Sequence, residues 1–213
     1  MSLFTNRPQS SDPVNYVTLG LNKTLLIVGL GNIGKEYDGT RHNVGFACVD
    51  EFVRKNDLGG WTEKKDLKCH LASGQLGETR VIVIKPTTLM NLSGEAVLAV
   101  AQFYKIPPQL IIVVHDELDI DFGQIRTRIG GSSAGHNGIK SVTNLLGDEN
   151  YGRVRIGIGP KKPTQMDSAD FVLQKFSAKE QKNMPALIKE VTAILSERIY
   201  GNQLATETRS FIF

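Results

Sequence analysis

Two short runs of this chain carry no polar side chain: "LLIVGL", Leu25 to Leu30, and "LIIVV", Leu110 to Val114. Successive side chains of a strand point to opposite faces. A strand can therefore be apolar at every position only where both faces are covered, the usual setting of a parallel sheet. The chain must then supply a layer of helices on each side. Helical spacing appears where that requires it: at 43–57, with Phe46, Val49, Phe52 and Val53 on one stripe; at 93–106, read as capped by Ser93 and stopped by Pro107 and Pro108; and at 135–147. A last helix, 177–201, opens on the capping box formed by Ser177 and Glu180, and Pro185 kinks or restarts it. Further strands are read as a pair around a glycine turn at 69–86, then 110–119, 124–131 and 153–159. The alternation predicts one α/β domain over 23–213, a twisted, mixed, mainly parallel sheet flanked by helices. Its 213 residues suffice for a sizeable core.

Sheets of this kind bind ligands at the carboxyl ends of their strands. The residues standing where the apolar runs stop are Asn32, then Met90 and Asn91, then His115 and Asp116, most of them polar. "GLGNIG", Gly29 to Gly34, has the spacing of a dinucleotide-binding turn, but the context fails. The polar stretch "KEYDGT" follows, the apolar helical pattern begins only near Val44, and the acids at the required distance, Asp50 and Glu51, sit mid-helix. The glycines are better read as a tight turn that presents Asn32, and a nucleotide-dependent oxidoreductase is disfavoured.

His42 lies in the polar stretch "TRHN" after the first strand. If the strands before it and before Asp116 are neighbours, the two side chains meet at the sheet edge. A carboxylate that fixes the tautomer of an imidazole makes a general base near neutral pH; alternatively, Asp116 caps a turn. There is no G-x-S-x-G, and neither cysteine lies in a polar loop, so water is the candidate nucleophile. Asn32, Asn91 and Asn137 recur in short glycine-rich contexts, where an amide either caps a turn or holds a water, a carbonyl or a developing oxyanion.

Net charge is only +3, but between Arg126 and Lys162 seven basic residues face two acids, a local excess of +5. Such a segment is either a solvated face or a polyanion patch. Arg126 and Arg128 alternate along one strand and should share a face. The histidines and cysteines show no metal-ligand spacing, so no metal is expected, and no apolar run approaches the ~20 residues of a membrane helix. Cys48 and Cys69 read as buried reduced thiols. Residues 1–22 are polar, carry Pro8 and Pro13, and fit neither a secretory nor a transit signal. They read as a disordered tail on a cytoplasmic protein.

Together, "LIVGLGNIGKEYDGTRHNVGF", "KPTTLMNLSGEAV", "VVHDELD", "GGSSAGHNGIKS" and "RIGIG" resemble, in order, the bacterial-type peptidyl-tRNA hydrolase family. The resemblance implies a phosphorylase/hydrolase-like fold. It also implies an esterase that cleaves the bond between a peptide and the terminal ribose of tRNA, without a cofactor and as a monomer. His42 takes the place of the catalytic base, Asp116 of its orienting acid, and Asn32 of the residue that positions substrate or water. Tyr37, Met90, Asn91 and Asn137 match substrate-cleft positions. Arg128 matches a contact to the tRNA 5′ phosphate and Arg155 another basic position on the tRNA side. The partner implied is peptidyl-tRNA; the alternative is a non-catalytic RNA-binding module on the same fold. Ile33 stands where the family usually has proline, Gln174 replaces a usual glycine, and "SSA" at 132–134 is less glycine-rich than in some members. "PKKPTQMDSAD" aligns poorly, which leaves Lys161, Lys162 or neither as the second lysine of the phosphate clamp.

Overall fold

The computed structural model describes residues 23–161, 163–201 and 203–211; the expected tail at 1–22 and Lys162 fall outside the described residues. The elements run β1 Lys23–Gly29, α1 Val44–Lys55, β2 Thr62–Lys64, β3 Cys69–Leu76, β4 Thr79–Pro86, α2 Ser93–Tyr104, β5 Ile111–Asp121, β6 Gln124–Ile129, α3 Asn137–Leu146, β7 Gly152–Gly159, α4 Ser168–Val172, α5 Ala178–Gln181, α6 Met184–Gly201 and β8 Glu207–Ser210. The strands form one sheet in the order β2-β3-β4-β1-β5-β7-β6-β8. Its centre, β4-β1-β5-β7, is parallel, and β2, β3, β6 and β8 extend it by antiparallel pairing.

The unbroken apolar run of β1 has the predicted cause. Leu25 and Ile27 enter the core that holds Phe52 of α1 and Val191 and Leu195 of α6. Leu26 and Val28 enter the opposite core, with Val97 and Val100 of α2 and Ile139 and Val142 of α3. All four are fully buried, and each such side chain contributes about 1.5–3 kcal/mol relative to exposure. One polar substitution in β1 would damage whichever of the two cores it faces.

Several local expectations are corrected. The strand expected at 110–119 runs from Ile111 to Asp121, so Asp116 lies within it and not at its end, with a register shift against β7 between Glu117 and Asp121. Ser93 does not cap α2; it is the first helical residue, and its hydroxyl lies 3.9 Å from Met90 Sδ. The last helical stretch follows the restart reading: the capping box of Ser177 and Glu180 opens α5, which ends at Gln181, and Pro185 lies in the first turn of a new helix, α6. The edge strands β2 and β8 and the short α4 carry no apolar period that sequence reading detects; β2 is exposed throughout and β8 alternates half-buried and exposed. Arg209 fastens β8 to α6 through Glu190 and Glu197.

Candidate active site

β1 and β5 are adjacent and parallel, so their carboxyl ends lie side by side. The chain leaving β1 returns through two 3-10 turns, Lys35–Tyr37 and Arg41–Asn43, the second leading directly into α1. Gly45 permits α1 to lie hard against those strands, since a Cβ there would collide with the carbonyls of Leu30 and Val114. This approach brings His42 to Asp116. Nδ1 of His42 stands 2.9 Å from Oδ1 and 3.0 Å from Oδ2 of the carboxylate. Asp116 is 2% exposed. A carboxylate accepts, so Nδ1 carries the proton, and Nε2 has no protein partner among the described residues.

A second imidazole shares that carboxylate. His136 Nε2 donates to Asp116 Oδ1 at 3.0 Å. Its Nδ1 accepts from the amides of Gly138 (3.1 Å) and Ile139 (3.3 Å), capping α3. The two amides fix the tautomer, so His136 is always a donor to Asp116. Burial by itself would raise the pKa of Asp116; the two imidazoles outweigh it and hold the carboxyl well below the usual carboxylate range. Behind His136 packs His115, ring centroids 4.8 Å apart, whose Nδ1 donates to the Asp116 carbonyl at 2.7 Å. Burial first, and the neighbouring His136 second, push His115 well below the usual imidazole pKa.

The asparagines divide the work. Asn43 grips the backbone of Asn32 by both its groups, accepting from Asn32 N at 2.8 Å and donating to Asn32 O at 2.9 Å. Asn32 Oδ1 in turn accepts from Met90 N at 2.7 Å. That bond settles the orientation of the amide and leaves Nδ2, a donor only, for the cleft. The cleft is about 570 Å³, and Asn32, Tyr37, His42, Met90, Asn91, Asp116 and Asn137 all line it. The predicted catalytic and substrate residues are thus brought together. The opposite wall includes Val172 and Leu173, from α4 and its end. Arg41 ties that wall to the turn that carries His42: its guanidinium donates to Lys175 O (2.7 Å) and Glu180 (2.9 Å) and lies 4.4 Å from the centre of the Phe171 ring. A smaller cavity of about 340 Å³ behind the turn, bordered by Val44, Phe176 and Met184, holds none of the predicted residues.

The basic residues form a separate group on β6 and β7. Arg126 pairs in register with Arg155, and Arg128 with Arg153. Direct cross-strand partners share a face, so the four guanidinium groups crowd one side of the sheet, an arrangement of like charges that costs stability. The Nε atoms of all four, and Nη2 of Arg153, are buried without a partner. Burial lowers the pKa of Arg153 and Arg155, and for Arg155 the charge of Arg128 adds to it. Lys161 stands apart from this row, 3.4 Å from the hydroxyl of Ser168 on the cleft wall.

Sequence reading assigned no role to Asn43, His136 or Arg41. Asn43 and Arg41 flank His42 in "TRHN", and His136 precedes Asn137 in "GHNG", so each lay inside a motif already singled out. His42, Asp116 and His136 are also the one group among the described residues whose ligand-type atoms lie within 4.8 Å of one another. Their hydrogen bonds account for the closeness, and a cation there would have to displace both imidazole protons.

A model of the family described as peptidyl-tRNA hydrolase matches residues 26–211 of the chain. The peptidyl-tRNA hydrolase of Mycolicibacterium smegmatis is 45% identical over 166 residues, 78% of this chain and 86% of that one. That of Gloeobacter violaceus is 42% identical over 190 residues, 87% of this chain and 95% of the other. The crystal structure of peptidyl-tRNA hydrolase from Acinetobacter baumannii superposes with a TM-score of 0.78 at 34% identity, covering 85% of this chain and 91% of that one.

Proposed function

The chain belongs to the peptidyl-tRNA hydrolase family and hydrolyses the ester between peptide and tRNA, and from that premise we propose that His42 is its general base, Asp116 the acid that orients it, and Asn32 an oxyanion donor. The observation that carries this reading is the grip of both Asp116 oxygens on His42 Nδ1. It leaves Nε2 deprotonated in neutral imidazole, at the wall of the cleft, able to take a proton from water. The hydroxide equivalent adds to the ester carbonyl. Asn32 Nδ2, freed by the use of Oδ1 on Met90 N, donates to the oxygen that gains charge. The ribose oxygen then leaves with the proton held by His42, and Asp116 stabilises the imidazolium in between. Tyr37, Met90, Asn91 and Asn137 shape the cleft around the ester.

Arg128 and Arg155 take the phosphates of the tRNA, Arg128 the 5′ phosphate. The support is four facing arginines with no acid bonded to them among the described residues, a charge arrangement that an anion relieves. Lys161 reaches the acceptor end from the cleft rim, and Lys162, outside the described residues, is assigned with it. A substrate made by translation, together with two buried thiols, supports a cytoplasmic protein; no described helix is long and apolar enough to cross a membrane.

The test is release of tRNA from N-acetyl-aminoacyl-tRNA by the purified protein, with free aminoacyl-tRNA spared. Tight binding without release would leave only a non-catalytic RNA-binding module.

A further inference from the structure

Arg128 and Arg153, from adjacent strands, donate to the same acceptor. Arg153 Nη1 lies 2.7 Å and Arg128 Nη2 2.9 Å from the carbonyl oxygen of Ser132. Ser132 belongs to the loop 130–136 that joins β6 to α3. This loop ends on His136, the donor to Asp116, and delivers Asn137 to the cleft. It is bent tightly against Arg128: Gly131 has φ +92°, and a Cβ on it would collide with the guanidinium. A single carbonyl therefore joins the arginine row to the catalytic group.

The two arginines differ in what they can reach. Arg153 is 1% exposed, with its guanidinium 4.8 Å from the centre of the Tyr151 ring, and has no path to an external phosphate. Arg128 is half-buried. Its Nε is out of contact with solvent, so a two-pronged bond to phosphate would use Nη1 together with Nη2, and turning the planar group to face the phosphate competes with the bond that Nη2 makes to Ser132. Resting on the assignment of Arg128 to the tRNA 5′ phosphate, we propose that Arg153 is a positioning residue of the hydrolysis: it holds the Ser132 carbonyl, and with it His136 and Asn137, when phosphate draws Arg128 away. Without Arg153, a phosphate-bearing substrate removes the last side-chain hold on the Ser132 carbonyl at the moment the loop's residues are needed.

The test compares Arg128→Met and Arg153→Met on one N-acetyl-aminoacyl-tRNA, used with its 5′ phosphate and after phosphatase treatment. Arg128→Met is expected to lose through KM, roughly tenfold on the phosphorylated substrate. Arg153→Met is expected to lose through kcat, tenfold or more with the 5′ phosphate present, and at least threefold less without it, because Arg128 then still holds Ser132. Equal kcat losses on both substrates, or no loss, would overturn the inference. An unchanged KM for Arg128→Met would instead sink the phosphate assignment beneath it. Should Arg153→Met fail to fold, Arg153→Lys and amide hydrogen exchange take its place. Lysine keeps the charge and one donor but reaches less far, so exchange at residues 130–139 should rise when a 5′-phosphorylated acceptor-stem hairpin is added to the variant. In the wild-type protein the same addition should leave exchange unchanged. An identical response of the two proteins would refute the proposal.

Discussion

Replacing His136 by alanine removes two interactions of different kinds, and their sizes can be separated. The first is the cap on α3, where Nδ1 accepts from the amides of Gly138 and Ile139. Loss of a helix N-cap costs about 1 kcal/mol. The second is the bond from Nε2 to Asp116 at 3.0 Å, where both side chains are almost wholly buried. A hydrogen bond to a charged group contributes about 1.5–3 kcal/mol. His136→Ala should therefore destabilise the protein by about 2.5–4 kcal/mol. His136→Asn keeps a good N-cap acceptor but is too short to reach the carboxylate, so it should recover about 1 kcal/mol of that loss. Urea unfolding of the three proteins, followed by circular dichroism, measures both differences. Equal stability of the two variants would refute the capping role. A loss below about 1 kcal/mol for alanine would refute the claim that Asp116 depends on two imidazoles.

His115 is neutral in the folded protein, because burial holds its pKa well below the ordinary value. The unfolded chain takes up its proton near pH ~6.5. The folded state thus binds fewer protons below that pH, and stability falls as pH drops through ~6.5 toward the folded pKa, by up to about 1.4 kcal/mol per pH unit. His115→Gln should flatten that slope in denaturation at pH 7.5, 6 and 5; parallel curves would remove His115 as the cause. Arg128→Ala should weaken the salt dependence of KM for full-length peptidyl-tRNA, while a minimal ester substrate without the tRNA body is cleaved nearly as before; equal losses on both would end the clamp assignment. Activity should survive exhaustive chelation, and loss with rescue by a divalent ion would turn His42, Asp116 and His136 into ligands instead.

The central sheet was legible because its physics is local. β1 is apolar at four successive positions, and only a two-sided core explains that. The meeting of His42 with Asp116 was legible one step further on, since adjacency of β1 and β5 was the single topological fact it needed. The edges were not legible. β2 and β8 are short, lie at the two ends of the sheet, and are mainly exposed, so no hydrophobic period marks them. The dual role of His136 was hidden for a different reason: a histidine serving as N-cap replaces the usual Ser, Thr, Asp or Asn, and its second bond spans 20 residues. Likewise the facing of Arg126 with Arg155 and of Arg128 with Arg153 depends on the register of β6 against β7, which alternation within one strand does not fix.

The account depends most on His42 Nε2 as the base. The direct measurement is the turnover of N-acetyl-aminoacyl-tRNA by His42→Ala, on protein whose unfolding curve matches the wild type. A positioned base is worth about 10²–10⁴-fold, so kcat should fall by that factor. Near-normal turnover by the folded variant would contradict the mechanism proposed for this site.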